Sequence, residues 1–165
     1  MVKNNSNSFT LIEILIVTAI IVLLSGTSLA IFTTYRDDKV LGNQVTLFSS
    51  ILDLAKNKAA SGDVTLCSGD PLTTTVSGYR VEVNSTTNSL SLKPECIDTT
   101  PTPVSYAIPQ NIVYLTPSVS LRFDSQNYQG ETRTFPIKNT LTGKCKYVTV
   151  DETGLITSGS YATCP

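Results

Sequence analysis

The stretch FTLIEILIVTAIIVLLSGTSLAIF, Phe9–Phe32, decides how the rest of the chain is read. Its twenty-four residues carry one charged side chain, Glu13. At about 1.5 Å rise per residue a helix of this length reaches about 36 Å, against a hydrocarbon core of about 30 Å. The expectation is a membrane-crossing helix. The preceding segment, MVKNNSNS, is short and polar, with Lys3 its one charged side chain; the residues that follow hold no second apolar run of comparable length. A cleavable secretory signal has a similar outline, but its apolar core needs only about 7–15 residues. Here the small-residue window Ser25-Gly26-Thr27-Ser28 is followed by more apolar residues and then by a helical pattern.

Glu13 is the oddity within the run. An acidic side chain costs about 2.5–3.5 kcal/mol at the middle of a span and less towards its ends. Four residues in, Glu13 either snorkels back to the interface or awaits a positive partner. A chain cut before Phe9 would supply one, because its new α-amino group lies near the same depth.

The string Ser8-Phe9-Thr10-Leu11-Ile12-Glu13, continued by Ile14-Leu15-Ile16-Val17, closely resembles the prepilin signature of type IV pilins and type II secretion pseudopilins. The resemblance implies cleavage between Ser8 and Phe9 by a prepilin peptidase on the cytoplasmic side, and N-methylation of Phe9. It also implies retention of the apolar helix as the filament core, with Glu13 pairing with a neighbouring subunit's N-terminus during assembly. Its partners would be other pilins or pseudopilins, the peptidase, and cytoplasmic membrane lipid before assembly. Two positions depart from the family pattern. Ser8 stands where the family usually has Gly, and no Pro lies near Ala30, so any loosening of the helix there falls to Ser25, Gly26 and their Thr and Ser neighbours.

The organisation expected is a leader over 1–8, a transmembrane and assembly helix over 9–32, its amphipathic continuation over 33–61, and an exported β-rich globular domain over 62–165. Charge is nearly balanced, with 12 Lys and Arg against 13 Asp and Glu, so no general nucleic-acid or anionic-membrane surface is announced. Arg36 and Lys39 beyond the run offset Lys3 before it, which leaves the positive-inside signal weak. Cys67, Cys96, Cys145 and Cys164 all follow the apolar run, and none forms a C-x-x-C pair. Disulfides suit an exported domain better than an all-Cys metal site at these spacings. Of three connectivities, Cys67–Cys96 with Cys145–Cys164 is favoured, because each closes a local loop worth about 2–4 kcal/mol; free thiols are the alternative.

From Arg36 to Ala60 the pattern becomes amphipathic. Leu41, Val45, Phe48, Leu52, Ala55 and Ala59 recur on one helical face, widened by Val40, Leu47, Ile51 and Leu54. Asp37, Asp38, Gln44, Asp53 and Lys56 are placed on the polar remainder. Gly42 is a candidate bend, and Ser61-Gly62-Asp63 a stop. Beyond it, strands are expected at Val64–Cys67, Gly78–Asn84, Ser89–Lys93, Asn111–Leu115, Val119–Phe123, Thr132–Ile137, Cys145–Val150 and Leu155–Thr157. Gly78–Asn84 and Ser89–Lys93 read as a hairpin through Asn84-Ser85-Thr86-Thr87-Asn88. Residues 98–103 read as a Pro-stiffened connector, and 124–131 as a polar loop.

The fold class is therefore α+β and pilin-like: a long N-terminal helix packed on an antiparallel β-sheet or a two-sheet globular domain. In detail it is most similar to the minor pseudopilin H and FimT-like subunits, through Asp63-Val64-Thr65-Leu66-Cys67 and the late pair Tyr147–Asp151 with Gly154-Leu155-Ile156. No His, phosphate loop, nucleophile motif or metal constellation stands in the chain, so neither an enzyme nor a cofactor is expected. Asp37-Asp38 and Asp151-Glu152 read as a solvated helix face and a turn, with calcium the alternative for the second. The function expected is a structural minor pilin or pseudopilin of a type IV pilus or type II secretion pseudopilus. Its location would be the cytoplasmic (inner) membrane, single-pass, with the globular domain outside the cytoplasm, and then the filament. The alternative is a pilus-tip DNA-binding subunit using Lys138, Lys144 and Lys146; a sugar-binding domain rests only on the tyrosines.

Overall fold

A computed structural model describes residues 10–165 apart from 98, 127 and 129, with the backbone alone for 26–31 and 34. The chain forms two compact units, Met1–Arg36 and Asp37–Pro165. Helix α1, Leu11–Ser61, contributes to both. The leader, Ser8 and Phe9 lie outside the described residues.

In the second unit the apolar stripe of α1 does what its period requires. Leu41, Val45, Phe48, Ile51, Leu52, Ala55 and Ala59 are all buried. Two residues depart from the sequence expectation. Leu54 is 39% exposed, whereas Gln44 is buried and donates from Nε2 to the Tyr114 hydroxyl at 3.0 Å. Burial of a polar side chain is tolerated here because a partner replaces its lost water. The helix ends on Gly62, whose φ is +62°. The Gly62 N–H donates to the Ala59 carbonyl at 3.2 Å and the Asp63 N–H to that of Lys58 at 3.1 Å, the paired closure that a left-handed residue permits.

Eight strands follow in two antiparallel sheets. One has the order β3-β2-β1-β5, built from β1 Thr75–Asn84, β2 Ser89–Ile97, β3 Val104–Tyr106 and β5 Val119–Phe123. The other has the order β4-β6-β7-β8, from β4 Ile112–Tyr114, β6 Arg133–Asn139, β7 Cys145–Val150 and β8 Ile156–Ser160. The hairpin pairs Val81 with Leu92 and Val83 with Leu90. This register buries Tyr79, Val81, Val83, Leu90 and Leu92 on one face and leaves Arg80, Glu82 and Lys93 on the other. Gly78 sits where a Cβ would meet the Phe123 carbonyl oxygen at 2.5 Å, so the β1–β5 approach at this point admits only glycine.

Both sheets and α1 share one apolar core. Phe48 is its hinge, with ring centroids 5.4 Å from Tyr114 and 5.3 Å from Phe135 and both pairs nearly perpendicular, an edge-on geometry that aromatic quadrupoles favour. Polar ties fix the remaining freedom. The Tyr79 hydroxyl donates to the Asp63 carbonyl at 2.6 Å, and Asn139 Nδ2 donates to that of Asp37 at 2.9 Å. Asn88 Nδ2, on a turn residue with φ +46°, donates to the Ile112 carbonyl at 2.8 Å and so links the two sheets. Disulfides join Cys67 to Cys96 and Cys145 to Cys164, with Cα separations of 5.8 and 5.3 Å.

Three local expectations are corrected. Val64–Cys67 is a turn and not a strand: Asp63 Oδ1 accepts the Thr65 N–H at 2.7 Å, which curls the chain, and only Cys67 bridges to Pro101. The short strand β3 forms where the sequence offers only an exit from two prolines; its Val104 pairs with Leu92. The polar loop over 124–131 contributes a core residue, Tyr128, whose hydroxyl donates to the Glu131 carbonyl at 2.9 Å.

At the helix terminus the Lys58 ammonium lies 2.6 Å from Asp63 Oδ2. This bond, with those from Thr65, lowers the Asp63 carboxyl to about 2. A depressed folded-state value stabilises above the unfolded pKa and is lost as pH falls through the folded one. Stability should therefore decline between about pH 4 and pH 2, by about 1 kcal/mol after solvent screening. Denaturant titration of an Asp63→Asn chain over this range should show that component absent.

Candidate assembly segment

Thr10 opens α1. Its side-chain Oγ1 lies 3.3 Å from the Glu13 N–H, and its carbonyl accepts the Glu13 and Ile14 N–H groups at 3.1 and 3.3 Å. Thr10 is thus the N-cap and Glu13 the third helical residue, the Thr-x-x-Glu arrangement of a capping box. The Thr-x-x-Glu spacing is itself legible in the sequence. The structure gives Glu13 a local duty as well, a carboxylate in the first turn, where the helix dipole favours negative charge.

Beyond the cap, apolar side chains point outward on every side. Leu11, Ile12, Ile14, Leu15, Ile16, Val17, Ile20, Ile21, Val22, Leu23 and Leu24 are all exposed. A helix apolar all round is built for an apolar surrounding. Its hydroxyls are satisfied internally: Thr18 Oγ1 donates to the Leu15 carbonyl at 3.0 Å and Ser25 Oγ to that of Ile21 at 2.7 Å. Thr18 and Ala19, being small, leave a shallow groove among Leu15, Val22 and Leu23. Among the described residues no helix is long and apolar enough to cross a membrane.

The other sequence-selected groups lie in the second unit. Lys144 Nζ pairs with Asp38 Oδ2 at 2.5 Å. Lys146 is registered opposite Ile137 on the core-facing side, and its Nζ is 3.5 Å from where a Cβ on Gly42 would stand. Lys138, opposite Cys145, is on the other face of the sheet. The three lysines therefore do not make one basic patch. Asp37 is buried, unlike the solvated face expected of it. Asp151 closes the β7–β8 turn: its Oδ1 accepts Thr153 Oγ1 at 2.7 Å and the N–H groups of Thr153 and Leu155 at 2.9 Å each. These bonds, Thr153 foremost, hold its carboxyl below the usual range.

Sequence alternation alone gave no warning of a charge cluster on the outer face of the first sheet. Glu95 receives Arg80 Nε at 2.9 Å on Oε1 and Arg122 Nε at 2.7 Å on Oε2. Burial would raise its carboxyl, but the two guanidinium groups outweigh that and hold it low.

Residues 3–29 match the prokaryotic N-terminal methylation motif. The match supports a type IV pilin-like or pseudopilin chain processed by prepilin peptidase, from a family that is structural. No curated protein and no solved structure matches the chain.

Loss of the cap is measurable. Thr10→Ala should cost the first turn about 1 kcal/mol, seen as roughly fivefold faster exchange of the Glu13 amide in the full chain in detergent.

Proposed function

We propose that the chain is a minor pilin or pseudopilin, anchored in the cytoplasmic membrane through Phe9–Phe32 and incorporated into a type IV pilus or type II secretion pseudopilus by the same helix. The single observation that carries the reading is the run of outward-facing apolar side chains from Leu11 to Leu24, with Glu13 in a first turn capped by Thr10. The N-terminal match points the same way. On this reading prepilin peptidase cuts between Ser8 and Phe9 and methylates the new amine. The amine is then the positive partner of Glu13 on a neighbouring subunit. Helices packing in lipid gain nothing from water, so a charge pair in that setting supplies register that apolar contact lacks. The disulfide-bonded β-domain lies outside the cytoplasm, and its strings Asp63–Cys67 and Tyr147–Asp151 with Gly154-Leu155-Ile156 are similar to those of the minor pseudopilin H and FimT-like subunits. DNA capture at a pilus tip is the second reading, but the divided lysines give it no basic patch.

Two measurements test the proposal. Intact mass of the chain produced with a prepilin peptidase should show loss of residues 1–8 and gain of one methyl on Phe9; an unchanged mass would remove the assembling-pilin reading. Glu13→Ala should leave that processing intact. Breaking a charge pair in a low-dielectric core costs about 3–5 kcal/mol, so filament incorporation should fall by about two to three orders of magnitude. Incorporation at the unsubstituted level would refute the register role.

A further inference from the structure

Asn84-Ser85-Thr86 is the one Asn-x-Ser/Thr triplet that follows the apolar run. Such a triplet accepts N-linked glycan when it stands on the surface of an exported domain. The two disulfides of this unit suit an oxidising, exported setting. Asn84 ends β1 at the tip of the β1–β2 hairpin, and Thr86 and Thr87 beyond it are exposed.

The local geometry presents the amide nitrogen. Asn84 Oδ1 accepts the Thr86 N–H at 3.0 Å, the Thr87 N–H at 3.1 Å and the Ser118 hydroxyl at 3.3 Å. These three donors hold the side chain in one orientation and draw electron density from the amide, which makes its N–H easier to deprotonate. They occupy only the oxygen, so Nδ2 keeps both hydrogens for another partner. A recess of about 240 Å³ opens beside it, lined by Glu82, Val83, Ser118, Val119 and Ser120.

We infer that Asn84 is an N-glycosylation acceptor, modified by a membrane oligosaccharyltransferase that uses a lipid-diphosphate-linked oligosaccharide. In the transfer a bond forms between Asn84 Nδ2 and the anomeric carbon. The bond from that carbon to the phosphate oxygen breaks, the lipid diphosphate leaves with the electron pair, and the amide proton passes to a base on the transferase. No oxidant or reductant enters. The inference rests on the exported half of the proposed function and not on filament assembly.

The test is production of the full chain in cells that carry a prepilin peptidase, an oligosaccharyltransferase and its lipid-linked glycan, followed by intact and peptide mass measurement. One glycan is expected on the peptide holding Asn84, absent in Asn84→Asp and Thr86→Ala and retained in Asn88→Gln. Asn84→Asp keeps an oxygen to accept the three bonds, so an intact fold without glycan separates lost chemistry from lost structure. A chain left bare in cells that modify a control acceptor peptide would overturn the inference, as would a glycan that persists in Asn84→Asp. Leader removal, read in the same spectra, reports on the proposed function separately.

Discussion

The second unit depends on the burial of one helical face, Leu41 to Ala59, in a core shared with two sheets. Seven side chains of α1 contribute, the large ones among them at about 1.5–3 kcal/mol each when fully buried. The sheets in turn need it, because each is apolar on one side only and neither could remain wet on that side. Phe48 makes the dependence concrete: its edge-on contacts reach β4 through Tyr114 and β6 through Phe135.

Three paired polar groups around this core act as fasteners. Gln44 to Tyr114 and Asn139 to the Asp37 carbonyl join α1 to a strand, and Tyr79 to the Asp63 carbonyl ties β1 to the turn that follows the helix. Burial pushes the Tyr114 hydroxyl up to about 12 against the lowering effect of Gln44, and burial with the Asp63 charge does the same for Tyr79. Both phenols therefore stay protonated and keep donating or accepting through any physiological pH. The disulfides close loops of sequence separation 29 and 19 at the margins of the sheets, where the core supplies least.

The first unit obeys different physics. Its described apolar side chains from Leu11 to Leu24 are exposed, and the Thr18 and Ser25 hydroxyls are answered within the helix. Such a segment is stable only where its surroundings are apolar too, in lipid or among like helices. Glu13 stands in the first turn of this helix, beside the Thr10 cap.

Much of this was legible in the residues. Period 3.6 over Leu41–Ala59 and period 2 over Tyr79–Val83 each follow from one face turned to an apolar core, and local geometry suffices to read them. Glycine after Ser61 marked the helix stop for an equally local reason. What the sequence could not state were contacts made only once the chain has folded. Gln44 reads as surface until Tyr114, seventy residues away, supplies a partner. Tyr128 reads as loop until Phe123 receives its ring at 5.5 Å. Glu95 reads as a strand's outward residue until Arg80 and Arg122 close on it from two neighbouring strands. Tertiary packing decides the first two and strand register the third, in a sheet where strands distant in sequence come about 5 Å apart.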